Sequence, residues 1–271
     1  MKKKLGSLLL ALTLALSLSV PALAEEAAPG DRVHPLTGEG AAPSAAGFTD
    51  AARIGQWEAV AALTKLGIVK GKDDGSFDPA GPVTRAELAS MFTAILLGGE
   101  EAELWTERCP SFSDISGHWA EEKIKFCADC SIIQGRGDGI FDPDGEVTGV
   151  EIAKMILCAL GYEPAVYALT GPDWQLKTNI YANMTKNKLY DGVEELDPNL
   201  PASRETAARM LYNALSAQVL KIHIEDRKFK MDGTMLLEAK PAVDKDGNPV
   251  SLLNEHFAIG AVGDLPAQPG K

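Results

Sequence analysis

One segment occurs three times in this chain and aligns without a gap. Residues 75–92 read GSFDPAGPVTRAELASMF, residues 139–156 GIFDPDGEVTGVEIAKMI and residues 194–211 EELDPNLPASRETAARML. Each carries an Asp-Pro, a Thr or Ser six residues after the Asp, and a Met at the same place in an apolar run. The likeness reaches upstream, from Phe48 (FTDAARIGQWEAVAALTKLGIVKGKDDGSFDP), from Phe112 (FSDISGHWAEEKIKFCADCSIIQGRGDGIFDP) and, more loosely, from Gly171 (GPDWQLKTNIYANMTKNKLYDGVEELDP). In each copy a Trp (Trp57, Trp119, Trp174) follows an Asp-containing turn. Repetition at this length means one supersecondary unit built three times, each unit needing its neighbours to bury its apolar face.

One copy reads as helix, loop, helix. Asp50 and Asp114 are candidate caps of the first helix, and Trp57, Val60, Ala61, Leu63 and Leu66 form its apolar stripe. Gly67 ends that helix, and Phe77-Asp78-Pro79 is expected to be extended, because the residue before Pro is pushed out of the helical region. The second helix opens with a capping box, Thr84 with Glu87 and Thr148 with Glu151; Ser203 keeps the cap and loses the acid partner. Leu88, Met91, Phe92 and Ile95 then recur at i, i+3, i+4, i+7. No single pair has the apolar area to stand alone, so a mainly α fold is expected: three tandem pairs packed as a pseudo-threefold helical bundle.

Around the repeats the texture changes. Lys2, Lys3 and Lys4, an apolar stretch and Ala22-Leu23-Ala24 give residues 1–24 the form of a cleaved export signal. Its apolar run falls short of the roughly 20 residues of a spanning helix, and no membrane span is expected after cleavage. Residues 25–46 read as a flexible Ala/Pro/Gly-rich linker, 47–100, 111–162 and 170–217 as the three repeats, and 218–271 as a short β-containing tail whose end, DLPAQPGK, reads as disordered. Losing the three lysines takes the formal charge from −12 to about −15, which argues against nucleic acid or an anionic lipid surface as partner.

The chemistry-bearing residues are few. Cys127 and Cys130 form a C-x-x-C, but Ile124, Cys127 and Ile132 share an apolar helix face, which favours small buried thiols over zinc. Export is compatible with a disulfide among Cys109, Cys127, Cys130 and Cys158, and spacing assigns none. Asp142, Asp144, Gly145 and Glu151 fit positions 3, 5, 6 and 12 of a calcium loop, yet its first ligand would be Ile140. The other copies put Ala80 and Thr206 at ligand positions and Leu200 in place of the turn glycine, so no metal and no cofactor is expected. No nucleophile elbow, zincin helix or P-loop occurs, and an enzyme is not expected.

The pattern F-x-D…W…DG-x-F-D-P…T-R-A-E ahead of an apolar helix resembles the S-layer homology repeat, over residues 48–216. The resemblance implies a three-copy helical bundle at the cell surface of a Gram-positive-type bacterium. It also implies non-covalent binding of secondary cell-wall polysaccharide, often pyruvylated, in grooves between repeats. Arg85 and Arg204 follow the helix caps, where the dipole favours an anion and a guanidinium matches a carboxylate. Both become candidate binding residues on that implication, with Trp57, Trp119 or Trp174 as a wall for the sugar or as core. Gly149 replaces the Arg in the second copy, which is expected to cost the second groove its clamp. The alternative is a lattice protein that self-associates through the tail, and a surface enzyme is the weakest reading.

Overall fold

A computed structural model of the chain describes residues 47–99, 111–185, 188–222, 228–229, 235–236 and 239–265. The signal segment 1–24, the linker 25–46 and Cys109 lie outside the described residues. The helices come in pairs: α1 (Trp57–Lys65) with α2 (Arg85–Leu96), α3 (Glu121–Asp129) with α4 (Gly149–Ala159), and α5 (Trp174–Met184) with α6 (Arg204–Leu215). Strands β1 (Leu220–Ile222), β2 (Lys228–Phe229), β3 (Met235–Leu236) and β4 (Ala239–Pro241) follow, and a last short helix, α7 (Leu252–Phe257). Among the described residues the protein is mainly α, with strands confined to two two-stranded ladders.

The pairs are locked at a common centre. Just before each second helix the chain is extended, and three such segments meet. The Val83 amide donates to the Ala202 carbonyl (3.0 Å), the Ala202 amide to the Val147 carbonyl (2.8 Å), and the Val147 amide to the Val83 carbonyl (3.2 Å). This is a closed ring of three hydrogen bonds around a pseudo-threefold axis, with all three side chains buried. The strongest helix packings run from one pair to the next, α2 on α3 and α4 on α5, and α6 returns to α1. Leu88, Phe92, Ile95, Ile152, Ile156, Leu157, Leu211 and Leu215 are fully buried within it.

The same handover consumes the helix starts. Thr84 and Thr148 each accept from the N3 amide while Glu87 and Glu151 accept from the cap amide, and Ser203 accepts from the Thr206 amide. The next amides go outward. Those of Arg85 and Ala86 donate to Gly145 and Pro143, those of Gly149 and Val150 to Leu200 and Pro198, and those of Arg204 and Glu205 to Gly81 and Pro79. Every Asp-Pro loop is therefore an acceptor for a neighbour's helix.

Two local expectations change. Asp50 and Asp114 do not cap the first helices, whose N-cap residues are Gln56 and Ala120. They reach across the repeat instead: Asp50 accepts from the amides of Phe77 and Asp78 at 2.8 Å each, and Asp114 from those of Phe141 (2.9 Å) and Asp142 (2.6 Å). Asp78 and Asp142 are not extended but left-handed (φ 58° and 64°), a conformation Asp tolerates better than most residues. Burial alone would raise the Asp114 pKa, but the Phe141 and Asp142 amides outweigh it and hold the carboxyl below its usual range.

The tail supplies an element that the alternation did not announce. Ser251 and Asn254 form a capping box for α7, whose Leu252 and Leu253 are buried against the bundle. Gly98 and Gly99 receive it: both have positive φ, and a Cβ on Gly98 would sit 2.2 Å from the His256 carbonyl oxygen. β1 pairs antiparallel with β4, and β2 with β3. Val262–Asp264 form a 3₁₀ turn that ends on the first residue of DLPAQPGK; residues 266–271 lie outside the described residues.

Asp114→Asn removes a carboxylate whose folded pKa is depressed. Such a group stabilises the fold above its unfolded pKa, and that stability disappears as pH falls through the folded value. The variant should have a lower Tm at pH 7 and a shallower loss of Tm below pH 4 than the parent, read by circular dichroism melts across pH.

Candidate functional site: the clefts between helix pairs

Arg85 and Arg204 occupy the first position of α2 and α6 and are only 3% exposed. Each leaves its own repeat. Arg204 donates through Nε to the Phe77 carbonyl (2.8 Å) and through Nη2 to the Lys70 carbonyl (3.3 Å), and Nη1 bonds Glu87 at 2.6 Å. Its guanidinium carbon stands 5.1 Å from the centre of the Phe77 ring. Arg85 repeats this one pair further on, with Nε to the Phe141 carbonyl (2.8 Å), Nη2 to the Gln134 carbonyl (2.6 Å) and the Phe141 ring at 4.5 Å. Burial, with Arg136 nearby, pushes the Arg85 pKa down to about 10, so the group stays charged at neutral pH.

These bonds fill much of the donor capacity of the two arginines. The helix-start amides donate to neighbouring carbonyls, and the forks bind backbone and, for Arg204, a carboxylate. Both side chains do lie between repeats, as floor and tie rather than as open anion clamps. Gly149 changes meaning as well. Since each Arg serves the next pair, Gly149 faces the loop of the third pair, where a Cβ would lie 2.6 Å from Leu196 Cδ2 and 3.2 Å from Pro198 Cα. The cleft without its guanidinium is the third, not the second.

Above Arg204 a cleft of about 1160 Å³ opens between the first two pairs, with Lys70, Lys72, Glu87, Ser90, Trp119 and Lys123 among its lining. Trp119 is 61% exposed. Lys123, one helical turn on, places Nζ 5.6 Å from the centre of the indole and donates to Ser90 Oγ at 2.9 Å. Lys72 is paired with Asp78. Exposed indole beside ammonium and hydroxyl groups, over a buried guanidinium, suits an acidic sugar: stacking for the ring, charge-assisted hydrogen bonds for a carboxylate.

The other two clefts differ. In the second, Lys154 stands where α2 has Ser90, with Nζ 5.0 Å from the centre of the Trp174 ring and 3.4 Å from Gln134 Oε1. In the third, Arg209 holds that position but donates to the Asp191 carbonyl (3.1 Å) and stacks on Tyr212. Gln56 Nε2 binds the Gly192 carbonyl (2.8 Å), and the Tyr212 hydroxyl binds Glu58 (2.9 Å). Polar cross-links thus stitch this interface.

The tryptophans are not equivalent. Turn amides of Ile68, Ile132 and Leu189 donate to the carbonyls of Leu63, Cys127 and Ala182, which sets a common register. Trp119 and Trp174 lie eight residues before that point and Trp57 six. Trp57 is 42% exposed rather than part of the core stripe. Lys70, Ser90 and Lys123 escaped the sequence reading; the i, i+4 spacing of Trp119 and Lys123 was the one available signal. Cys127 is fully buried, its thiol pushed up to about 12 by burial, and Cys127, Cys130 and Cys158 are free.

Against known proteins, residues 47–89 and 111–153 match the sequence model of the S-layer homology domain, and the pair α5–α6 lies outside both matches. S-layer protein EA1 of Bacillus anthracis is 33% identical over 153 residues, 56% of this chain and 16% of that protein. The surface-layer 125 kDa protein of Lysinibacillus sphaericus is 27% identical over 202 residues, 68% of this chain and 17% of the relative. Cell surface glycoprotein 1 of Acetivibrio thermocellus is 39% identical over 90 residues, 33% of this chain and 4% of the relative. The chain thus spans less than a fifth of each of these relatives. Two S-layer homology segments and relatives of this kind put the protein at the bacterial cell surface. Among the described residues no helix is long and apolar enough to cross a membrane.

Arg204→Met keeps the apolar stem but removes the guanidinium partner of Glu87 Oε1 and of the Phe77 and Lys70 carbonyls, while Glu87 Oε2 keeps the Thr84 amide. A loss of about 2–3 kcal/mol is expected in urea unfolding. Gly149→Arg should also destabilise, since the new side chain meets Leu196 and the Pro198 backbone.

Proposed function

We propose that this protein is a non-covalent cell-wall anchoring module that binds an acidic, pyruvylated secondary cell-wall polysaccharide in its inter-pair clefts, and that it is not an enzyme. The observation that carries the reading is the first cleft: an exposed Trp119 with Lys123 and Ser90 beside it, and the buried Arg204 paired with a partly exposed Glu87 beneath. An indole offers a flat apolar wall to a sugar ring, and a pyruvate ketal adds a fixed carboxylate within reach of an ammonium group. The S-layer homology match over the first two pairs supports the same reading. With a formal charge of −12 the chain as a whole disfavours an acidic polymer, which makes the lysines at the clefts the better place to receive one.

Within this scheme Arg85 and Arg204 act by position. They hold the neighbouring loop, and hence Lys70 and Gln134, at the cleft floor. Lys123 and Lys154 supply the charge that meets the ligand, and Trp119 and Trp174 supply the wall. The third interface, cross-linked by Gln56 and Tyr212 and lacking the arginine, is the weakest candidate.

Trp119→Ala and Lys123→Ala should each weaken binding to purified cell-wall sacculi at least tenfold, about 1.4 kcal/mol, without changing the circular dichroism spectrum. Sacculi stripped of the secondary polymer should not bind the parent protein. Equal binding to stripped sacculi, or unchanged affinity in both variants, would overturn the proposal.

A further inference from the structure

Helix α5 is built inside out. Its buried positions are Thr178 and Ala182, and Thr178 Oγ1 is buried without a hydrogen-bond partner. Its outward positions are Leu176, Ile180 and Met184, which are 61%, 43% and 70% exposed. They are spaced by four residues and form one ridge along the helix. In the register set by the Cys127 and Ala182 carbonyls, these positions match Glu121, Lys125 and Asp129 of α3, where Glu121 and Lys125 form an ion pair at 2.7 Å. One face is thus charged and internally paired on α3 and apolar on α5.

We infer that the Leu176–Ile180–Met184 ridge of α5 is a self-association surface that pairs with the same ridge of a second copy of this chain. Two features choose that occupant. The ridge is self-complementary: laid antiparallel on itself, it places Ile180 against Ile180 and Leu176 against Met184, as a twofold interface demands. The charge is also right. Glu and Asp outnumber Lys and Arg by 38 to 26 in the chain, yet α5 has no acidic residue and only Lys177 as a cation. At a net charge of −12 two copies repel, and α5 itself, beyond its N-cap Asp173, brings no carboxylate to such a contact. An anionic lipid surface would need a basic face that α5 lacks.

A helix of 11 residues is about 16 Å long, so the contact falls below the roughly 1,200 Å² of stable interfaces. The dimer is therefore weak in free solution and gains weight when copies are held close on one surface. The inference stands apart from the ligand of the clefts.

Sedimentation velocity on the purified chain, from roughly 10 µM to 1 mM, tests it. The parent should shift from monomer toward dimer across this range. Ile180→Glu and Met184→Glu, on an exposed face where folding is retained, should each raise the dissociation constant at least tenfold. Val243→Glu, an equally exposed apolar site in the tail, should leave it unchanged. A parent that stays monomeric throughout, or glutamate variants that dimerise like the parent, would overturn the inference.

Discussion

The fold rests on a transfer of hydrogen bonds from each repeat to the next. Three extended segments close a ring through Val83, Val147 and Ala202, and beside it every second helix gives its first two amides to the Asp-Pro loop of a neighbour. A helix end leaves four amides without intrahelical partners, and here one is taken by the cap and others by the adjacent unit. No repeat can satisfy its own helix start, so the repeats fold together or leave buried donors unpaired. The two arginines extend the same logic to side chains, one guanidinium completing the carbonyls of each of two receiving loops.

That constraint explains the motif residue by residue. The Asp of F-x-D fixes the loop from within its repeat, binding amides on either side of the Phe-Asp bond. The Phe of F-D-P lies under the incoming guanidinium, and its carbonyl receives Nε. The Gly three residues after the loop Asp lies against that side chain, where a Cβ on Gly81 or Gly145 would come within 2.2 Å of the carboxylate. The third copy has Glu195-Leu196 ahead of its Asp-Pro, and it is met by Gly149 rather than arginine. Loss of the Phe and loss of the Arg belong to one interface.

Much of this architecture was legible in the sequence because it is periodic. The repeats, the second helices and their caps follow from spacing alone. The destination of Asp50, Asp114, Arg85 and Arg204 was not legible, since each partner lies 27 to 134 residues away and is mostly backbone, which has no signature in composition. The same holds for the cleft: Lys123 looks like any solvated lysine of a charged helix until α2 places Ser90 beside it. Helix α7 was hidden for another reason. Six residues give too short a window for periodicity, and its position depends on Gly98 and Gly99 far upstream.

Closure of the ring has a mechanical consequence. Because α6 packs back on α1, the first and last helices of the bundle are neighbours, and tension drawn along the chain meets the α1–α6 seam early. That seam carries the extra stitches, Gln56 to Gly192 and Tyr212 to Glu58. Polar side chains thus join the two ends of the bundle, at the interface where Gly149 stands in place of the arginine.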